Sequence, residues 1–158
     1  MQHASHQKIQ TIKIAIIGAG FGGLAMAIRL LQNNIRDFVV LEKAADLGGT
    51  WRDNQYPGAA CDVQSHMYSL SFAPKTDWSK RYAEADEIFG YMQDLAARYQ
   101  FKEFCRFEHE VICAKYDEDG CYWHIDIKDQ APLQAQFLIF ASGPLHVPQI
   151  PHIQGIET

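Results

Sequence analysis

The sequence is short of several things, and each shortage excludes a class of function. Positive charge is in deficit: 14 Lys and Arg stand against 19 Asp and Glu, a formal net charge of -5. No basic stripe exists to neutralise a phosphate backbone, which argues against a nucleic-acid partner. A long apolar run is also missing, because the stretch from Ile14 to Leu31 is broken by Gly18, Gly20, Gly22 and Gly23 and carries Arg29. No membrane span is expected from such a segment. Residues 1–11 form a polar tail without the apolar core of a signal peptide, so a cytoplasmic location is expected. The four cysteines, Cys61, Cys105, Cys113 and Cys121, contain no C-x-x-C pair and no histidine at zinc-site spacing. Buried free thiols and no metal site follow, and a dithiol reductase is disfavoured. Internal repeats and low-complexity segments are absent as well.

What is present suits one soluble domain: 158 residues, 47% hydrophobic and 21% charged. Lys13 to Ile17 is a continuous, mostly β-branched run ending at glycines, as a buried parallel strand does. Gly22 to Asn33 then carries Leu24, Ala27, Ile28 and Leu31 at helical spacing, with Asn33-Asn34 closing the helix. Asp37 to Leu41 reads as a second buried strand, so the three segments form a right-handed parallel crossover. From Ala44 to Trp78 neither period persists, and so long a loop in a compact domain borders a ligand or carries function. Glu84 to Tyr99 is again helical, through Ile88, Met92, Leu95 and Tyr99. Arg106 to Tyr116 and Cys121 to Lys128 read as a hairpin around Asp117-Glu-Asp-Gly120, and Phe137 to Ala141 as a last buried strand. The fold class is therefore α/β: a Rossmann-like parallel sheet with a β-hairpin or meander insertion, over residues 12–158.

Gly18-Ala-Gly-Phe-Gly-Gly23 fits G-x-G-x-x-G between a strand and a helix, the context in which that pattern has a mechanism. Gly18 permits the tight turn, Gly20 lets backbone approach a pyrophosphate, and Gly23 lets helix and strand pack closely. The amides of the helix N-terminus, beginning at Phe21, face the phosphate charge. Glu42 ends the second strand, nineteen positions past Gly23, where a carboxylate accepts ribose hydroxyls and repels a 2′-phosphate. The residues alone point to FAD or NAD rather than NADP.

In the long loop, Gly48-Gly49 marks a close backbone approach, Trp51 offers a stacking face and Tyr56-Pro57-Gly58 is a turn before Asp62. This segment resembles the Baeyer-Villiger monooxygenases, NADPH-dependent flavoenzymes related to the flavin-containing monooxygenases. Their motif [A/G]-G-x-W-x(4)-[F/Y]-P-[G/M]-x(3)-D is matched at Gly48, Gly49, Trp51, Tyr56, Pro57, Gly58 and Asp62. The resemblance continues through residues 63–72, 78–82 and Ala141-Ser-Gly143, where such flavoproteins more often have Ala-Thr-Gly.

The resemblance implies the two-dinucleotide-domain flavoprotein type, with FAD as cofactor and NADPH used by the full-length parent. It implies that Gly49, Thr50 and Trp51 touch FAD, that Asp62 and Tyr68 lie near the flavin, and that the Val111 backbone bonds adenine. In relatives the aspartate at the Asp62 position helps place flavin, nicotinamide and a catalytic arginine, which makes Asp62 the catalytic candidate. Cys61 and His66 adjoin it, and packing is the simpler reading of each. The implied activity of the parent is oxygen insertion into a small-molecule ketone, or oxidation of a heteroatom.

A second glycine-rich βαβ unit for NADPH is not found in the sequence. The expectation is thus a truncated N-terminal part, inactive alone, for which a downstream chain carrying the NADPH domain would be the partner. Two other readings stay open: part of another flavin oxidoreductase such as an N-hydroxylase, and a non-catalytic FAD-binding module or remnant.

Overall fold

In the computed structural model, residues 9–145 and 149–156 are described. The β-branched runs form parallel strands β1 (Gln10–Ile17) and β2 (Phe38–Leu41), joined by helix α1 (Phe21–Gln32). A four-residue helix α2 (Thr50–Asp53) lies in the long loop, followed by helix α3 (Ala85–Arg98). Then come β3 (Cys105–Arg106), β4 (Val111–Asp117), β5 (Tyr122–Ile127) and β6 (Leu133–Phe140). All six strands share one sheet in the order β3-β2-β1-β6-β5-β4. β3, β2, β1 and β6 run parallel, while β6, β5 and β4 form an antiparallel meander. The expected α/β, Rossmann-like class with a meander is what forms.

Both faces of β1 and β2 are buried over Ile14–Ile16 and Phe38–Leu41, which explains their unbroken apolar runs. β6 departs from the buried strand expected over Phe137–Ala141, because Phe137 and Phe140 are exposed. Ile14, Ile16, Phe38 and Val40 point to one side and pack with Leu24, Ala27 and Ile28 of α1 and Met92 and Leu95 of α3. Ala15, Val39 and Leu41, one residue out of phase, point to the other and pack with Ile125, Ile127, Leu133 and Ala135. The strand period of two thus divides one sequence run between two cores. Each of the large aliphatic side chains sealed there contributes about 1.5–3 kcal/mol.

Several boundaries differ from the sequence reading. β1 starts at Gln10, inside the expected polar tail, because Gln10 and Thr11 pair with Leu133 and Gln134 of β6; residues 1–8 of that tail lie outside the described residues. The strand expected from Arg106 to Tyr116 is two strands. Glu108 takes a positive φ of 57° and breaks the run, so that Cys105–Arg106 pairs with β2 while Val111–Asp117 begins the meander. The cysteine reading is corrected too: Cys61 is buried and Cys105 half-buried, but Cys113 and Cys121 are exposed, on a hairpin with one open face. Among the described residues no helix is long and apolar enough to cross a membrane. Nor do three or more His, Cys, Asp or Glu side chains there group as metal ligands.

Candidate functional site

From β1 the chain steps outward to β2 and β3, crosses to the opposite edge at β4, and comes back through β5 to β6, which lies on the other side of β1. A parallel sheet opens a crevice at such a reversal, outside the carboxyl ends of its strands. A cleft of about 1130 Å3 lies there, lined by the residues after β1 (Gly18, Gly20, Phe21), after β2 (Glu42, Lys43) and after β6 (Ala141 to Pro144).

The glycine loop is built as its spacing requires. Gly18 has a φ of 100°, and a Cβ on it would stand 2.7 Å from the Ala141 carbonyl oxygen. A Cβ on Gly23 would overlap the Gly18 carbonyl. Gly20 is different, for its nearest neighbour would be Gly49 Cα at 3.9 Å, and it faces the open cleft. Gly20 also caps α1 without a side-chain hydrogen bond, and the first turn of α1 holds no acidic residue. The amides of that turn, which have no intrahelical acceptor, form a positive helix end beside the cleft.

Glu42 is buried, at 5% exposure, and its carboxylate is shared between segments. The Ala19 amide donates to Oε2 at 2.8 Å and the Ala44 amide to Oε1 at 2.9 Å. Arg52 Nη1 lies 3.7 Å from the same Oε1. That guanidinium also donates to the Asp46 carbonyl through Nη1 and to both Asp53 carboxylate oxygens, at 2.8 and 3.0 Å, through Nε and Nη2. Burial works against the Arg52 charge, but the Asp53 hydrogen bond and the charges of Asp53, Glu42 and Asp46 outweigh it and hold its pKa above the ordinary value.

The long loop supplies the opposite wall. Gly49 takes a φ of 52° and heads α2, which presents Thr50, Trp51 and Arg52 to the cleft. Trp51 Nε1 donates to the Tyr68 hydroxyl at 3.1 Å, with the rings edge-on at 5.6 Å, and Phe21 packs on Tyr68 at 5.3 Å. Burial pushes the Tyr68 phenol above its usual pKa; the Trp51 hydrogen bond opposes this, and the neighbouring Cys61 and Asp62 add to it. Asp62 is exposed at the cleft margin with Cys61 buried beside it, and Val111 lines the far end with His109 and Glu110.

Of the residues picked out in the sequence, Gly18, Gly20, Phe21, Glu42, Gly49, Thr50, Trp51, Asp62, Tyr68 and Val111 all border this one cleft. Gly23 does not, and sits behind the loop as a packing glycine. His66 is exposed and outside the lining, whereas Cys61 lines it. Arg52 and His109 were not foreseen as cleft residues. Arg52 occupies a variable position of the loop motif, so only its adjacency to Trp51 could have signalled it.

The comparisons with known proteins agree with this geometry. Residues 16–85 match a family described as NAD(P)-binding Rossmann-like domain. A Baeyer-Villiger monooxygenase of Streptomyces coelicolor is 42% identical over 156 residues, covering 98% of this chain and 30% of the relative. The FAD-binding monooxygenase ktnD of Aspergillus niger is 36% identical over 167 residues, covering 99% of this chain and 28% of the relative. Among solved structures, cyclohexanone monooxygenase from Rhodococcus sp. Phi1 bound to NADP+ superposes with a TM-score of 0.86 at 31% identity, over 95% of this chain and 29% of that one. OTEMO in complex with FAD and NADP gives a TM-score of 0.83 at 30% identity, over 92% and 28% respectively. The chain thus spans about 30% of the length of the first of these curated relatives.

Proposed function

We propose that this chain, which matches the N-terminal part of the Baeyer-Villiger-type flavin monooxygenases, holds FAD in the cleft above β1, β2 and β6. Its role is that of the FAD-binding portion of an NADPH-dependent monooxygenase acting on ketones or heteroatoms. The observation that carries the reading is the convergence of the glycine loop and the Gly48-to-Asp62 loop on one cleft.

The residues present fit the group. The uncapped, acid-free N-terminus of α1 and the open side of Gly20 suit a pyrophosphate, whose charge the first-turn amides stabilise. Glu42 and the backbone near Val111 suit ribose and adenine, and Gly49, Thr50, Trp51 and Tyr68 suit the flavin end. When bound, FAD supplies the redox chemistry, and the chain's residues bind it, orient it and limit water around it. Asp62, at the cleft margin, would position the reacting partners beside the flavin.

Titration of the purified chain with FAD, followed by flavin fluorescence and thermal unfolding, tests the reading. Saturable binding with a rise in melting temperature is expected. No binding and no shift at millimolar FAD would overturn it.

A further inference from the structure

A second, smaller cavity of about 220 Å3 lies between the start of β1, the end of β3 and the connection from β5 to β6. It shares only His109 with the larger cleft, so the two are separate compartments. Its lining has two characters: Gln10, Arg106, His109 and Gln130 are polar, whereas Ile9, Ile127, Ala131 and Pro132 offer hydrocarbon. None of the described residues that line it is a carboxylate, although acidic side chains outnumber basic ones in this chain.

Arg106 is half-buried there, and its Nη2 donates to Gln10 Oε1 at 2.8 Å. That is one acceptor for a group with five N–H donors. Arg52 has the carboxylates of Asp53 and Glu42 beside it, but no ion pair among the described residues includes Arg106. Burying part of a charge without a counter-charge is costly, and an anion entering the cavity would remove that cost. The backbone around it is already held. The Glu42 amide donates to the Arg106 carbonyl at 3.0 Å, the His109 amide donates to the Glu42 carbonyl at 2.9 Å, and His109 Nδ1 lies 2.7 Å from the Phe107 carbonyl oxygen.

We propose that this cavity binds a small organic acid, its carboxylate on Arg106 and its short hydrocarbon tail against Ile9, Ile127 and Pro132. A carboxylate matches the planar fork of a guanidinium, and the apolar half of the lining favours an organic acid over an inorganic anion. The volume lies below the roughly 300 Å3 at which pockets for larger ligands begin, so a nucleotide is not the occupant.

The test is calorimetric and ligand-observed NMR titration of the full chain with hexanoate at constant ionic strength, beside hexanamide and inorganic phosphate. Hexanoate binds saturably at millimolar concentration. The amide lacks the charge and phosphate lacks the tail, so each binds about tenfold more weakly or less. Arg106→Gln lowers hexanoate affinity by about tenfold, whereas Lys115→Gln, the same loss of charge at an exposed position of β4, leaves it unchanged. Ala131→Phe, at an exposed position between β5 and β6, fills the cavity and weakens binding with Arg106 still in place. That variant decides should Arg106→Gln fail to melt cooperatively.

Absence of saturable binding, equal affinity for phosphate or the amide, full affinity in the deciding variant, or displacement of hexanoate by FAD overturns the proposal. Failure of the chain to bind FAD would defeat the reading of the larger cleft alone, because hexanoate binding is measured without FAD as well.

Discussion

The Ala19 amide donates to Glu42 Oε2 at 2.8 Å, so the loop after β1 and the acidic residue after β2 are one hydrogen-bonded unit. With the Ala44 amide on the other oxygen, the carboxylate braces the glycine loop as well as facing the cleft. A carboxylate has about four acceptor positions, so two amide bonds leave capacity for ribose hydroxyls.

Gly20 and Gly23 separate binding from folding. Gly23→Ala forces a Cβ onto the Gly18 carbonyl and should cost about 1–3 kcal/mol, read from the urea midpoint. Gly20→Ala finds space in the protein, so its stability should stay within about 0.5 kcal/mol of the original. Its FAD affinity should nevertheless fall by about tenfold or more, since the new methyl stands where a pyrophosphate approaches. Equal effects of the two substitutions on both measurements would contradict this division.

Tyr68→Phe removes the acceptor of the Trp51 indole N–H. A loss of about 1 kcal/mol in stability is expected, together with altered tryptophan emission and weaker FAD binding as the Trp51 ring loses its anchor. Unchanged emission and affinity would show that α2 is held without this bond.

Thiol reactivity should divide the cysteines in pairs. Exposed Cys113 and Cys121 react rapidly with a disulfide reagent at pH 8, whereas Cys61 and Cys105 react only on unfolding. Burial, followed by the charge of Glu42, pushes the Cys105 thiol from 9.0 up to about 12. The folded chain therefore binds that proton more tightly than the unfolded one. Stability from this source is fully present below pH 9.0 and is lost as pH rises through about 12. Cys105→Ala should flatten that alkaline loss, as measured by urea midpoints between pH 8 and 11.

Much of this was legible in the residues because it is local. The β-branched run before Gly18 forms a strand, the apolar spacing from Leu24 to Ile28 forms a helix face, and the glycine spacing demands a turn that other residues resist. β3 was illegible, since two residues show no period and Cys105–Arg106 becomes a strand only by pairing with Val40 and Leu41. Exposure of Cys113 and Cys121 was illegible for a similar reason: cysteine is apolar by type, and Cys113 is left in water by the meander's open side and Cys121 by its place in the turn between β4 and β5.

The sequence by itself determined the strand-helix-strand unit, the glycine turn and the identity of the loop that meets it. Each depends on the torsional preferences and periodicity of neighbouring residues. Only the tertiary structure decided that Glu42 braces Ala19 and stands beside Arg52, and that Gly23 packs behind the cleft while Gly20 faces it. Those relations join separate segments of chain, and they are set by how the sheet and its loops close around a common crevice.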